Sequence, residues 1–189
     1  MSKRKSSTTG IEVISSTPIY DGPAFKVFKD IVREGAHTGQ RDVVRHTGSV
    51  VIMAVDEAKP RKQQEARVVL IRQYRYAAAQ YLWELPAGRI DQGENKLAAA
   101  KRELLEETGL SAKKWKRIFQ FYASPGFLDE TMDVYLARDL TLGQAQPEAD
   151  EQISLRFFPL EEALGMVVSN KIRDAKTMSA LLWLNLMIA

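Results

Sequence analysis

Hydrophobic and polar positions alternate in two distinct ways along this chain. Residues 48–55 and 67–74 are apolar, β-branched runs joined by the polar, charged segment 56–66, which predicts a hairpin with a solvated loop. Shorter strand patterns stand at 11–14, 25–33 and 42–45, with turn residues Pro18, Asp21-Gly22-Pro23 and the stretch 35–40 between them. These predict a small β appendage over 11–46, behind a flexible tail at 1–10. Strands are also predicted at 115–122, 131–137 and 153–158, and the Pro- and Gly-broken stretch 123–130 reads as a loop. A helical period marks 95–107, a short helix over 159–168 entered through Pro159, and a last amphipathic helix over 174–189 burying Met178, Leu181, Leu182 and Trp183. No internal repeat occurs. The elements predict a mixed α/β (α+β) domain over 47–189.

The helix at 95–107 departs from a plain amphipathic pattern. Leu97, Ala100 and Leu104 form one stripe with Ala98 and Leu105 beside it, a face directed to the core, and Gly109 follows as a left-handed cap. Glu103, Glu106 and Glu107 gather on another side at spacings of three and four, where like charges repel by about 0.2–0.5 kcal/mol per pair. They lie toward the negative end of the helix dipole, and no Lys follows them in the helix. A solvated acidic face is the ordinary outcome for a Glu-rich helix. Here the acids are placed against local stability, which predicts a cation, and hard oxygen donors suit Mg²⁺ or Mn²⁺.

Composition narrows the classes. A chain of 189 residues holds one ordinary domain plus a small appendage, and 45% hydrophobic with 27% charged residues is the balance of a folded protein. Without cysteine there is neither a disulfide framework nor a thiolate metal site. The basic start lacks the apolar core of a signal peptide, and the apolar run at 180–184 is too short to span a bilayer, so a cytoplasmic protein without a membrane segment is expected. A net charge of +3 suits an anionic substrate, but part of it sits in the tail and at 59–67, so charge alone does not predict a nucleic-acid partner. The only two histidines, His37 and His46, give little support for a His-based metal site or triad and read as surface or interface residues.

Residues 88–110 run Gly88, five residues, Glu94, seven residues, Arg102-Glu103, an aliphatic residue, any residue, Glu106-Glu107, any residue, Gly109 and aliphatic Leu110. This resembles the Nudix box at every specified position. The resemblance implies an α/β/α sandwich with a mixed sheet, a box folded as loop, helix and loop, and hydrolysis of a nucleoside diphosphate linked to another moiety. Within the family the chain is most similar to ADP-ribose pyrophosphatases, through Trp83-Glu-Leu-Pro-Ala-Gly88, Ser124-Pro125-Gly126 downstream and the N-terminal strands, which match a dimerisation region.

That resemblance carries residue roles and an activity. It implies Mg²⁺-dependent cleavage of ADP-ribose to AMP and ribose 5-phosphate by a homodimer. Glu103, Glu106, Glu107 and the carbonyl of Ala87 are implied as metal ligands, with Glu106 also positioning water. Glu94 is implied to act through a water or by holding Arg102. An ion pair from Arg102 to Glu106 has the right i,i+4 spacing. The base is expected in the acidic loop holding Glu148, Asp150 and Glu151, with Glu151 first and Glu148 next. Substrate contacts are expected from Arg75 on a phosphate, Arg41 on the nucleotide, Phe25 on adenine, the Pro125-Gly126 loop, and Glu130 on the ribose or pyrophosphate. Alternatives are a hydrolase of another nucleoside diphosphate sugar such as GDP-mannose, a non-catalytic sensor of such ligands, or an enzyme acting on nucleoside triphosphates or capped RNA.

Overall fold

In the computed structural model, which describes residues 10–56, 66–143 and 153–188, the chain forms two compact units. The first is Met1–Gly48 with Tyr122–Thr131, and the second is Ser49–Phe121 with Met132–Ala189. The first unit is an antiparallel sheet of β1 (Ile11–Asp21), β2 (Lys26–Glu34) and β3 (His37–Arg45), in that order. Two expectations are corrected here. Pro18 is not a turn residue but lies inside β1, an edge strand, beside an irregularity between Pro18 and Tyr20. The turn expected over 35–40 contracts to Gly35, at φ 59°, and Ala36, so β3 begins at His37. The loop Tyr122–Thr131 joins β3 through Val44: its N–H donates to the Phe127 carbonyl at 2.7 Å, and its carbonyl accepts from Asp129 N–H at 3.0 Å.

The second unit is a seven-stranded sheet. Its strands are β4 (Ser49–Asp56), β5 (Arg67–Arg75), β6 (Gln80–Glu84), β7 (Ala87–Arg89), β8 (Leu110–Tyr122), β9 (Thr131–Leu142) and β10 (Ser154–Pro159). The order is β10-β5-β4-β9-β8, with β6 on β5 and β7 on β4. β4 and β9 run parallel, and the hairpin read from the sequence joins β4 to β5. The run at 50–55 is apolar throughout because β4 is covered on both faces. Val51, Met53 and Val55 pack with Leu160, Ala163, Ala180, Leu181 and Leu184 from α2 (Leu160–Val168) and α3 (Ala175–Ile188). Val50, Ile52 and Ala54 pack with Ala99, Ala100 and Leu104 from α1 (Lys96–Thr108). Helices on both faces of a mixed sheet make the α/β/α sandwich, in which each fully buried aliphatic side chain contributes about 1.5–3 kcal/mol. Among the described residues no helix is long and apolar enough to cross a membrane.

Other expectations are corrected by helix geometry and strand pairing. Ala98 and Leu105 are exposed, because at about 100° per residue they stand roughly 140–160° round the helix from Ala100, and Ala99 is buried instead. Leu182 is 49% exposed for the same reason, since Ala180, Leu181 and Leu184 form the buried stripe of α3. β8 and β9 outrun their expected limits, and beyond them Gly143 N–H still donates to the Gly109 carbonyl at 2.7 Å.

Candidate active site

The box helix is set by its two ends. The Asn95 side chain caps the first turn by accepting from Leu97 N–H at 2.9 Å and Ala98 N–H at 3.4 Å. Lys96 fastens that turn to β9 by donating to the buried Asp133 at 2.6 Å. Gly109 ends the helix at φ 69°, where its N–H donates to the Leu105 carbonyl at 2.8 Å. Between these ends β7 holds the backbone of Ala87 and Gly88 beside α1. Ala87 N–H donates to Glu107 Oε2 at 3.0 Å, and Glu107 is only 5% exposed. At Gly88 a Cβ would stand 2.0 Å from Cδ of Glu103, so the approach of that carboxylate to the strand requires glycine.

Arg102 binds the rest of the acids. Its Nε and Nη2 donate to the two oxygens of Glu94, both at 3.0 Å, and Nη2 also reaches the Arg89 carbonyl at 3.1 Å. Its Nη1 donates to Glu103 at 2.7 Å and to Glu106 at 3.0 Å. The Glu94 bonds are the largest cause that raises the guanidinium pKa further; burial opposes them, and Glu103 and Glu106 add to the rise. The Glu94 carboxyl is held below its usual range, chiefly by the Arg102 hydrogen bonds, with burial opposing and Asp91 N–H adding. One cation therefore offsets the like-charge repulsion that the sequence implied. Among the described residues no three acids or histidines converge on a common point a metal could take, and Nη1 of Arg102 lies between Glu103 and Glu106. The donor chemistry still fits a hard divalent cation: three carboxylates on one helix, two of them pressed against the β7 backbone, in a chain without cysteine.

Glu94, Arg102, Glu103, Glu106, Glu107 and Ala87 are thus brought together in the second unit. Arg75, the last residue of β5, forms a two-bond pair with Glu84 at the end of β6, each bond 2.9 Å long. The remaining predicted substrate contacts lie in the first unit. Arg41 is exposed and donates to the Gln40 carbonyl at 3.0 Å. Phe25 is 42% exposed, with its ring 5.6 Å from that of Tyr20. Pro125 and Gly126 are exposed in a loop that Ser124 organises by accepting from Leu128 N–H at 3.0 Å. Glu130 is half-buried, its Oε1 3.7 Å from His46 Nδ1. Glu148, Asp150 and Glu151 lie outside the described residues, as does the basic run at 59–62. The sequence reading missed Glu84, Asp174, Lys176 and Thr177. Two signals were present: Glu84 is a lone charge in the apolar segment 82–86, and Lys176 stands in the first turn of a helix, where the dipole disfavours a cation.

Residues 45–181 match the family described as NUDIX domain. The chain is 34% identical over 178 residues to an ADP-ribose pyrophosphatase of Bacillus subtilis (strain 168), covering 93% of this chain and 92% of the relative. It is also 34% identical over 175 residues to an ADP-ribose pyrophosphatase of Mycobacterium tuberculosis (strain ATCC 25618 / H37Rv), covering 90% and 81%. A methanol dehydrogenase activator of Bacillus methanolicus is 32% identical over 178 residues, covering 93% and 92%. With the complete box folded on α1 and β7, the chain belongs to the NUDIX domain family and is a Nudix pyrophosphohydrolase.

Proposed function

We propose that this enzyme hydrolyses the pyrophosphate bond of ADP-ribose to give AMP and ribose 5-phosphate, with Mg²⁺ as its divalent ion and Mn²⁺ able to replace it. The observation that carries the reading is the intact box, with Glu103 and Glu107 against β7 and Arg102 joining Glu94, Glu103 and Glu106. Relatives named ADP-ribose pyrophosphatase, aligned over nine-tenths of the chain, support the substrate. Enzymes of this family generally use divalent metal ions. Glu103, Glu106, Glu107 and the Ala87 carbonyl are the residues that would hold such an ion. When bound it neutralises pyrophosphate oxygens and makes water a stronger nucleophile. Arg102 keeps Glu106 and Glu103 in place, Arg75 grips a phosphate, and Glu151, or Glu148 beside it in sequence, takes the proton of the attacking water.

A second reading, another nucleoside diphosphate sugar such as GDP-mannose, rests on the range of names among the relatives: one covered equally well is a methanol dehydrogenase activator rather than an ADP-ribose pyrophosphatase. The homodimer is assigned to the first unit, where β1 exposes Ile11, Val13, Ile14 and Ile19 along an edge strand. The test is product analysis with Mg²⁺ on a panel of ADP-ribose, GDP-mannose, NADH, a diadenosine polyphosphate and a nucleoside triphosphate. AMP and ribose 5-phosphate should appear from ADP-ribose at the highest kcat/KM, and Glu107→Gln should lose that turnover by orders of magnitude while still folded. A higher kcat/KM on another substrate overturns the ADP-ribose reading, near-parental turnover in Glu107→Gln overturns the metal assignment, and sedimentation at monomer mass removes the dimer.

A further inference from the structure

Glu84 and Lys176 stand 92 residues apart in sequence and both are buried, at 1% and 8% exposure, outside the box. A buried carboxylate requires a donor at each oxygen. Arg75 supplies one to each, and Lys176 Nζ adds a second to Oε2. Lys176 is held in turn by Asp174 Oδ1 at 2.9 Å. The other oxygen of Asp174 closes the first turn of α3, accepting from Thr177 N–H at 3.0 Å and from the Thr177 hydroxyl at 2.6 Å. Thr177 Oγ1 also accepts from Leu85 N–H at 2.8 Å. The Pro86 carbonyl then accepts from Ile52 N–H at 2.8 Å, and Ala87 N–H donates to Glu107. Each residue from Glu84 to Ala87 is therefore fixed by a specific hydrogen bond, and α3 supplies one of the three at Glu84 and the one at Leu85.

An ammonium buried in the first turn of a helix is opposed by the helix dipole and by desolvation, so packing does not account for Lys176. Arg75 does. A guanidinium has five N–H donors. Glu84 occupies the Nε and Nη2 edge of Arg75, and the three remaining N–H groups have no acceptor among the described residues on a side chain that is 41% exposed. That second edge has the fork geometry that matches an oxyanion. Burial works against the Glu84 carboxylate, and the Arg75 hydrogen bonds with the Lys176 charge outweigh it, so Glu84 stays ionised.

We infer that Lys176 is a positioning residue: acting through Glu84, it aims the second edge of Arg75 at an oxyanion of the substrate's pyrophosphate. The inference rests on the proposed grip of Arg75 on phosphate. It is tested by steady-state kinetics of the parent, Lys176→Met, Arg75→Ala and the double variant, on whichever panel substrate the parent cuts best. Each single variant should lower kcat/KM roughly 10- to 100-fold, mostly through KM, as for an outer partner of a site residue. The double variant should match Arg75→Ala within about twofold, because no guanidinium is left to aim. A lysine that only supports the fold would lower the melting temperature in both backgrounds and its kinetic effect would multiply with that of Arg75→Ala. Multiplying effects, or parental kcat/KM in Lys176→Met, overturn the inference. Should Lys176→Met fail to fold, Glu84→Gln, which keeps the shape, takes its place in the cycle with the same two outcomes. Parental kinetics in Arg75→Ala also overturn it while leaving pyrophosphate hydrolysis standing. A panel in which ADP-ribose is not the best substrate fails the functional reading and leaves the cycle decisive.

Discussion

A methyl group added at Gly88 would meet Cδ of Glu103 at 2.0 Å, and the backbone it hangs from is fixed by pairing to Val50 of β4. The carboxylate must then move, because a sheet backbone held by its ladder yields less than a side chain. Gly88→Ala is therefore expected to lower metal-dependent turnover by roughly 100-fold, the effect of about 1 Å of misplacement at a reacting centre, with little change in melting temperature. Turnover equal to the parent would show that Glu103 does not need that position. Much of this residue scale was legible. Glu103, Glu106 and Glu107 announced a charge problem by their spacing, and Arg102 was placed to pair at i,i+4. The reach of Arg102 to Glu94 and Glu103 together, and the clash at Gly88, depend on how the preceding loop and β7 return alongside the helix.

At the scale of the element, α1 is defined by chemistry at its ends. Asn95 accepts from two N–H groups of the first turn, and Gly109 adopts φ 69°, which an L side chain resists. Asn95→Ala and Gly109→Ala are each expected to cost about 1 kcal/mol in urea unfolding, and about 2 kcal/mol together because the ends lie roughly 20 Å apart. A markedly larger loss for Gly109→Ala would point to an added clash at the buried helix end. Both caps could be read from residue type and position. The exposed flank of Ala98 and Leu105 could not, since a helix with four apolar residues in a row, 97–100, offers two flanks, and the sheet it meets selects one.

At the scale of the whole molecule, the second unit carries charged groups in its interior that must balance. Glu84 is 1% exposed, and its carboxyl titrates below the usual 4.5 because Arg75 and Lys176 outweigh the effect of burial. A group with a depressed folded pKa stabilises the fold at pH above its unfolded value, and that stabilisation disappears as pH falls through the folded value. Glu84→Gln is accordingly expected to be about 3 kcal/mol less stable than the parent near neutral pH, the low end for a broken buried pair because Gln keeps some hydrogen bonds and Arg75 is partly exposed. The difference should narrow below pH 4.5. Parallel curves for the two proteins from neutral pH down to acid unfolding would remove Glu84 as a source of pH-dependent stability.

The sequence by itself determined the local structure and the reaction class. Apolar runs specified β4 and β5, end residues specified α1, and the box spacing specified the acid cluster, because each depends on neighbours within a few residues. The tertiary structure decided what depends on distant partners. Only the packing of α1 on one face of β4 and of α2 and α3 on the other reveals why β4 is apolar on both faces, and only the return of α3 to the end of β6 brings Lys176 to Glu84. A charge in an apolar segment and a lysine in a first helical turn each look unfavourable alone. Folding places them within hydrogen-bonding distance, and their burial then strengthens the attraction that holds them.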